Sequence, residues 1–196
     1  MPQMFALRRR LSMPRQLVLA MLGAVASLAL ALGLPRPASA ELTNGSPAPE
    51  FTAQAAFGGD VRTVDLKAAL AKGPVVLYFF PKSFTQGCTV EAHLFSDHIA
   101  DYQKLGATVI GVSADDIPTQ KKFSTQECRS AFLVASDPGL TIAKSYDAIL
   151  TQAPQYANRI SYVIAPNGTI VYSYSSLDPS LHVQNTLNAL QALKVK

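Results

Sequence analysis

Cysteine is nearly absent from this sequence: 196 residues contain two, Cys88 and Cys128. Two are too few for a disulfide-built scaffold, and no C-x-x-C pair exists to serve as a dithiol or metal motif. His93, His98 and His182 are the only histidines, and none stands at ligand spacing to a cysteine, so nothing indicates zinc or another metal. No internal repeat or low-complexity tract follows residue 40, which leaves one globular domain as the simplest organisation. Acid is missing altogether from residues 1–40, which carry Arg8, Arg9, Arg10, Arg15 and Arg36. Without those five, twelve basic residues face thirteen acidic ones. The net charge of +4 and the basic balance therefore give no argument for a nucleic-acid or membrane-surface partner.

The first forty residues read as an address. A basic segment from Arg8 to Arg15 precedes an apolar run from Leu17 to Leu34, and Pro37-Ala38-Ser39-Ala40 ends in the small-x-small pattern of a signal peptidase site. Cleavage is expected after Ala40, which makes residues 1–40 a signal peptide and 41–196 the folded domain. The alternative is an uncleaved anchor, since about 18 apolar residues just span a bilayer. The paired arginines carry a weak twin-arginine signal, because no strongly apolar pair follows them. Export to the periplasm or an equivalent lumenal or extracellular compartment is the expectation, with no membrane attachment after cleavage. In such a compartment a Cys88–Cys128 bond would be either one staple or a redox couple.

Strand-like and helix-like segments alternate beyond residue 73. Val75 to Phe80 is an unbroken apolar run, the pattern of a strand covered on both faces. Val90, Leu94, Phe95, Ile99 and Tyr102 recur at helical spacing, and Gly106 stops the helix. Ala107 to Ala114 reads as a second buried strand, Pro118 to about Cys128 as a helix with proline in its first turn, and Leu133 to Ser136 as a short strand. Leu140 to Tyr146 forms a short helix. Pro166-Asn167-Gly168 turns a hairpin between Ile160–Ala165 and Thr169–Tyr174. An amphipathic helix closes the chain from Pro179 to Leu193. Before all these, Glu41 to Phe51 reads as an extended arm, Gly58-Gly59 as a turn and Val64 to Ala71 as a short helix. This order, a βαβ unit first and a hairpin plus helix last, predicts an α/β thioredoxin-like fold, a mixed sheet with helices on both faces.

The spacing sets Cys88 in the first turn of a helix that follows a buried strand. Unpaired N–H groups and the positive end of the helix dipole favour an anion there, and the thiolate is the reactive form of cysteine. Thr85, three residues earlier, offers a hydroxyl to hold the sulfur or an incoming oxygen. Pro81 ends the strand without an N–H of its own and covers the sulfur without competing for a hydrogen bond.

Pro81-Lys82-Ser83-Phe84-Thr85-Gln86-Gly87-Cys88 matches P-x-x-x-T-x-x-C, the active-site signature of peroxiredoxins. Gly87-Cys88-Thr89, Glu91 and Phe95-Ser96-Asp97 resemble the Q-type, or bacterioferritin-comigratory, branch. The resemblance runs from about Gly45 to the C-terminus through Gly45–Phe51, Gly111–Ala114, Ser136-Asp137-Pro138 and Arg159 before Ile160. It implies a thiol peroxidase acting on hydrogen peroxide and organic hydroperoxides, with Cys88 peroxidatic, Thr85 and Pro81 shaping its pocket, and Arg159 the family arginine. A permanently charged guanidinium would stabilise both the thiolate and the charge that develops as the O–O bond breaks. The implied cycle takes Cys88 to sulfenic acid and needs no cofactor.

Departures from the family pattern limit the second half of that cycle. Many Q-type members place a resolving cysteine five residues after the first, where this chain has His93. Cys128 is the candidate replacement, and joining it to Cys88 requires local unwinding around residues 85–94 and around Cys128, because a disulfide needs Cα atoms within about 7 Å. A one-cysteine enzyme and a structural disulfide are the other readings of the pair. Gln86 stands where relatives often have proline, and Phe84 where they are often polar. The expected partners are a peroxide and a thiol reductant, either a thioredoxin-like protein or a small thiol, with the chain a monomer or weak dimer. Two other functions stay open at this point: a thiol–disulfide oxidoreductase, disfavoured by Glu91 in place of a second cysteine, and a thioredoxin-fold binding protein stapled by Cys88–Cys128.

Overall fold

Alternation along one five-residue strand decides the architecture. In β3 (Val75–Phe79) every side chain is buried, with Val75, Leu77 and Phe79 in one core and Val76 and Tyr78 in another. A strand buried on both sides must be covered on both sides, at a gain of about 1.5–3 kcal/mol for each large apolar group enclosed. The computed structural model describes residues 41–194 and provides that cover.

The sheet has seven strands in the order β2-β1-β5-β4-β3-β6-β7. β4 (Thr108–Ser113) runs parallel to β3 and to β5 (Leu133–Ser136). β6 (Ile160–Ile164) and β7 (Ile170–Ser175) form the antiparallel hairpin on one side, and β1 (Thr52–Phe57) with β2 (Asp60–Asp65) forms another on the far edge. Leu66 and Leu70 of α1 (Leu66–Leu70) and Ile142 and Ala143 of α5 (Thr141–Ser145) pack on the first face. The second face is covered by α2 (Gln86–Asp97), α3 (Ile99–Lys104), α4 (Ile117–Gln126) and α6 (His182–Lys194). Local signals start these helices where the topology needs them. Asp116 caps α4 by accepting from Thr119 N at 2.9 Å, and Asp137 accepts from Thr141 N and Ala143 N at the start of α5. Among the described residues no helix is long and apolar enough to cross a membrane.

This is the mixed sheet with helices on both faces that the segment order implies, with four local differences. The Gly58-Gly59 turn joins two strands, β1 and β2, which the sequence pattern does not show, and Val64 belongs to the second of them. The helix expected to run from Cys88 to Gly106 breaks at His98, whose backbone (φ −105°, ψ 9°) leaves the helical region. α4 ends at Gln126, so Cys128 lies just past it. Pro179–Leu181 forms a 3₁₀ turn, capped by Asp178, that precedes α6. The signal peptide and cleavage site expected in residues 1–40 lie outside the described residues.

Candidate active site

β3 ends at Phe79, and the chain turns at Pro81 into a loop that is tied down at several points. Ser83 N donates to Asp115 Oδ2 at 2.7 Å, and Ser83 Oγ donates to Gln120 Oε1. Gln120 Nε2 in turn donates to Ser113 Oγ at 2.7 Å, and Ser113 donates to Asp115. The end of β4 and the first turns of α4 thus hold the loop from below. Phe84 sits in the left-handed region (φ 63°), a costly conformation for an aromatic residue, and its ring packs edge-on against Phe123 at 5.3 Å.

Cys88 is the third residue of α2 and is 2 % exposed. It therefore lies in the first turn, where the N–H groups have no carbonyl behind them. Arg159, at the entry to β6 and itself 4 % exposed, donates from Nη2 to Cys88 Sγ at 3.3 Å. Its Nε donates to the carbonyl of Leu177 at 3.0 Å and its Nη1 to Glu91 Oε2. Three partners, two on α2 and one in the loop after β7, fix the fork of the guanidinium. Gly87 makes the approach possible, because a Cβ there would lie 3.0 Å from Arg159 Nη2. A charged hydrogen bond contributes about 1.5–3 kcal/mol and a helix terminus about 0.3–1 kcal/mol, so the arginine dominates the stabilisation of an anionic sulfur.

Behind the arginine lies a polar cluster that sequence spacing did not reveal. Glu91 is fully buried, one turn along α2 from Cys88, and burial pushes its carboxyl up to about 8 even though Arg159 pulls the other way. His182 Nδ1 lies 3.6 Å from Glu91 Oε1 and 2.8 Å from Ser161 Oγ, while Nε2 donates to the carbonyl of Ser176. Burial holds this imidazole down to about 4, so it is neutral and accepts from Ser161. The sequence signal that was available is the place of Glu91 three residues after Cys88, on the cysteine's own helix face.

The predicted residues are brought together unequally. Cys88 and Arg159 touch, and Pro81, half-buried, opens the same loop. Thr85 is the N-cap residue of α2, but its Oγ1 donates to the Lys82 carbonyl at 2.9 Å and not to the sulfur. Its lone pairs stay available as acceptors. Cys128 shares the second-face core with Cys88, and both thiols are free. Cys128 is fully buried, and burial, followed by the neighbouring Glu127, raises its thiol well above the usual range. The segment around it is fastened to α2 by three contacts: His93 Nε2 to Glu127 Oε2 at 2.8 Å, Ser96 Oγ to the Cys128 carbonyl at 2.9 Å, and Arg129 to Asp97. His93, at the place of the family's nearby cysteine, is thus part of this fastening.

Residues 44–173 match the model of the AhpC/TSA family. Peroxiredoxin Q, chloroplastic, of Oryza sativa subsp. japonica is 34% identical over 86% of this chain and 76% of its own length. The chloroplastic peroxiredoxin Q of Triticum aestivum is 35% identical over 78% of this chain and 69% of its own. Among solved structures, peroxidoxin BcpB from Mycobacterium tuberculosis aligns with 28% identity and a TM-score of 0.68 over 78% of this chain and 98% of its own.

Proposed function

The chain belongs to the AhpC/TSA family and is a thiol peroxidase of the peroxiredoxin class, and within that class we propose that Cys88 is the peroxidatic cysteine, Arg159 its electrostatic partner and Cys128 the resolving cysteine. The observation that carries this reading is the 3.3 Å contact from buried Arg159 to a sulfur at a helix N-terminus. Cys88 thiolate attacks the terminal oxygen of a peroxide ROOH, the O–O bond breaks, and RO⁻ leaves as ROH after taking a proton. Arg159 stabilises the charge on the departing oxygen, and Thr85 offers its lone pairs to the peroxide hydroxyl. Pro81 closes the pocket without a competing N–H. The Cys88 sulfenic acid is then attacked by Cys128 sulfur, which expels water and forms the disulfide.

Two thiols of a reductant, thioredoxin-like or small, reopen that bond by exchange. Because both cysteines are buried in the closed fold, the start of α2 and the segment carrying Cys128 open during each turnover. We read residues 1–40 as a removable leader that delivers residues 41–196 to the periplasm or an equivalent compartment as a monomer or weak dimer. The chloroplastic location in the names of the rice and wheat relatives accords with an addressed chain.

Single-turnover and multiple-turnover peroxide consumption with Cys88→Ser and Cys128→Ser test the assignment. Cys88→Ser is expected to fall to background in both. Cys128→Ser is expected to keep the first turnover and lose at least tenfold in sustained turnover with a dithiol protein as donor. Unchanged sustained turnover would remove Cys128 from the cycle and leave a one-cysteine enzyme.

A further inference from the structure

Tyr78 lies in the middle of β3 and is 1 % exposed, and its hydroxyl finds no hydrogen-bond partner among the described residues. The ring stacks on Phe95 of α2 at 4.4 Å and meets Phe132, just beyond Cys128, edge-on at 5.9 Å. Tyr78 therefore underlies both elements that carry a cysteine. Its neighbour across the parallel ladder is Gly111, and a Cβ at that position would come within 2.8 Å of Tyr78 Cζ and Oη. A central strand has given up a side chain to admit this phenol head. Packing alone does not call for the hydroxyl, since phenylalanine would supply the same ring without a buried, unpaired polar atom.

The segment that roofs this site holds a second source of tension. Arg129 (φ 48°) and Ser130 (φ 57°), directly after Cys128, are consecutive non-glycine residues in the left-handed region. The three contacts from α2 to Glu127, Cys128 and Arg129 keep the segment closed against that strain. Opening it would let the left-handed pair relax and bring water to the phenol.

We propose that the Tyr78 hydroxyl is a positioning group for the second half of the cycle: unpaired in the closed fold and solvated in the open one, it favours the opening that frees Cys128 and so speeds disulfide formation. Its effect on turnover rests on the reading of Cys128 as the resolving cysteine, whereas its effect on opening does not.

The two are separated by measuring each. In a Cys88→Ser chain Cys128 is the sole thiol, and its modification by a maleimide under native conditions reports opening. Adding Tyr78→Phe is expected to slow that modification about tenfold, with identical rates once both chains are unfolded in urea. An equal or faster native rate, a lower melting temperature or a failure to fold would overturn the proposal, because each would mean that the hydroxyl is satisfied in the closed state. In chains that keep Cys88, rapid mixing with hydrogen peroxide should show the same loss of the Cys88 thiol with and without Tyr78→Phe, and a disulfide that forms about tenfold more slowly in the variant. If modification slows but neither chain forms a disulfide, the resolving role of Cys128 fails and the proposed effect on opening stands. If both chains form the disulfide at the same rate, the proposal for Tyr78 fails and Cys128 keeps its role.

Discussion

On the first face of the sheet, Tyr146 Oη donates to the Pro49 carbonyl and Tyr162 Oη to the Tyr146 carbonyl, each at 2.7 Å, and Tyr162 Oη also accepts from Leu42 N. On the second face, Tyr78 has no such partner among the described residues, and a buried Arg159–Glu91 pair lies beside the sulfur of Cys88. Tyr102 on the same face is again satisfied, by Thr186 at 2.7 Å. Both faces bury phenylalanine and tyrosine rings, so the kind of side chain in the core does not distinguish them. What differs is where polar groups are left under tension, and on the second face that tension gathers around the two cysteines. One face fastens the N-terminal arm to the core, and the other holds both cysteines and the buried Arg159–Glu91 pair.

Glu91 offers the largest test of this contrast. Burial holds its carboxyl at about 8 in the folded chain, whereas in the unfolded chain it titrates near the ordinary value of about 4.3. Below the unfolded value both states are protonated and the contribution is complete. As pH rises through that value the unfolded state ionises first and gains, so stability is lost progressively until pH passes about 8. The full loss is on the order of 5 kcal/mol. Urea midpoints of the native protein and Glu91→Gln at pH 5 and pH 9 should therefore diverge, with the glutamine chain gaining relative stability at the higher pH. A difference that does not change with pH would mean that Arg159 keeps Glu91 ionised, and the second face would then hold a fully formed ion pair.

A smaller effect, confined to rate, is expected from Arg159→Lys. The ammonium keeps the charge but cannot reach Cys88, Glu91 and the Leu177 carbonyl together as the guanidinium fork does. The second-order rate of Cys88 oxidation by hydrogen peroxide should drop about 10²–10³-fold. A loss under tenfold would show that charge alone suffices and that the fork is a packing feature.

The sequence made the sulfur and its arginine legible for different reasons. Val75 to Phe80 announces a strand buried on both faces, and the loop that follows puts Cys88 in a first helical turn by local rules alone. Arg159 stands 71 residues away, and only the family pattern tied it to the cysteine. The β1–β2 hairpin escaped because Thr52–Phe57 and Asp60–Asp65 are largely exposed and lack the apolar alternation of a half-buried strand. The break at His98 escaped because the apolar spacing of Leu94, Phe95, Ile99 and Tyr102 runs through it without interruption. The unpaired phenol of Tyr78 was out of reach for another reason: whether a hydroxyl finds a partner depends on neighbours that only the folded chain assembles.

The smallest test compares like with like. Tyr162→Phe removes the hydroxyl that donates to Tyr146 O and accepts from Leu42 N, and it strands two groups that were paired. That costs about 1–2 kcal/mol, or a fall in melting temperature of about 2–8 °C for a domain of this size. Peroxide reactivity should not change, since both cysteines lie in the core of the other face. The same chemical edit at Tyr78, one oxygen taken from a buried ring, carries the opposite expected sign on stability. A matched fall in melting temperature for both variants would erase the distinction between the faces. Opposite signs would show that what a buried hydroxyl contributes is set by whether the fold supplies it a partner.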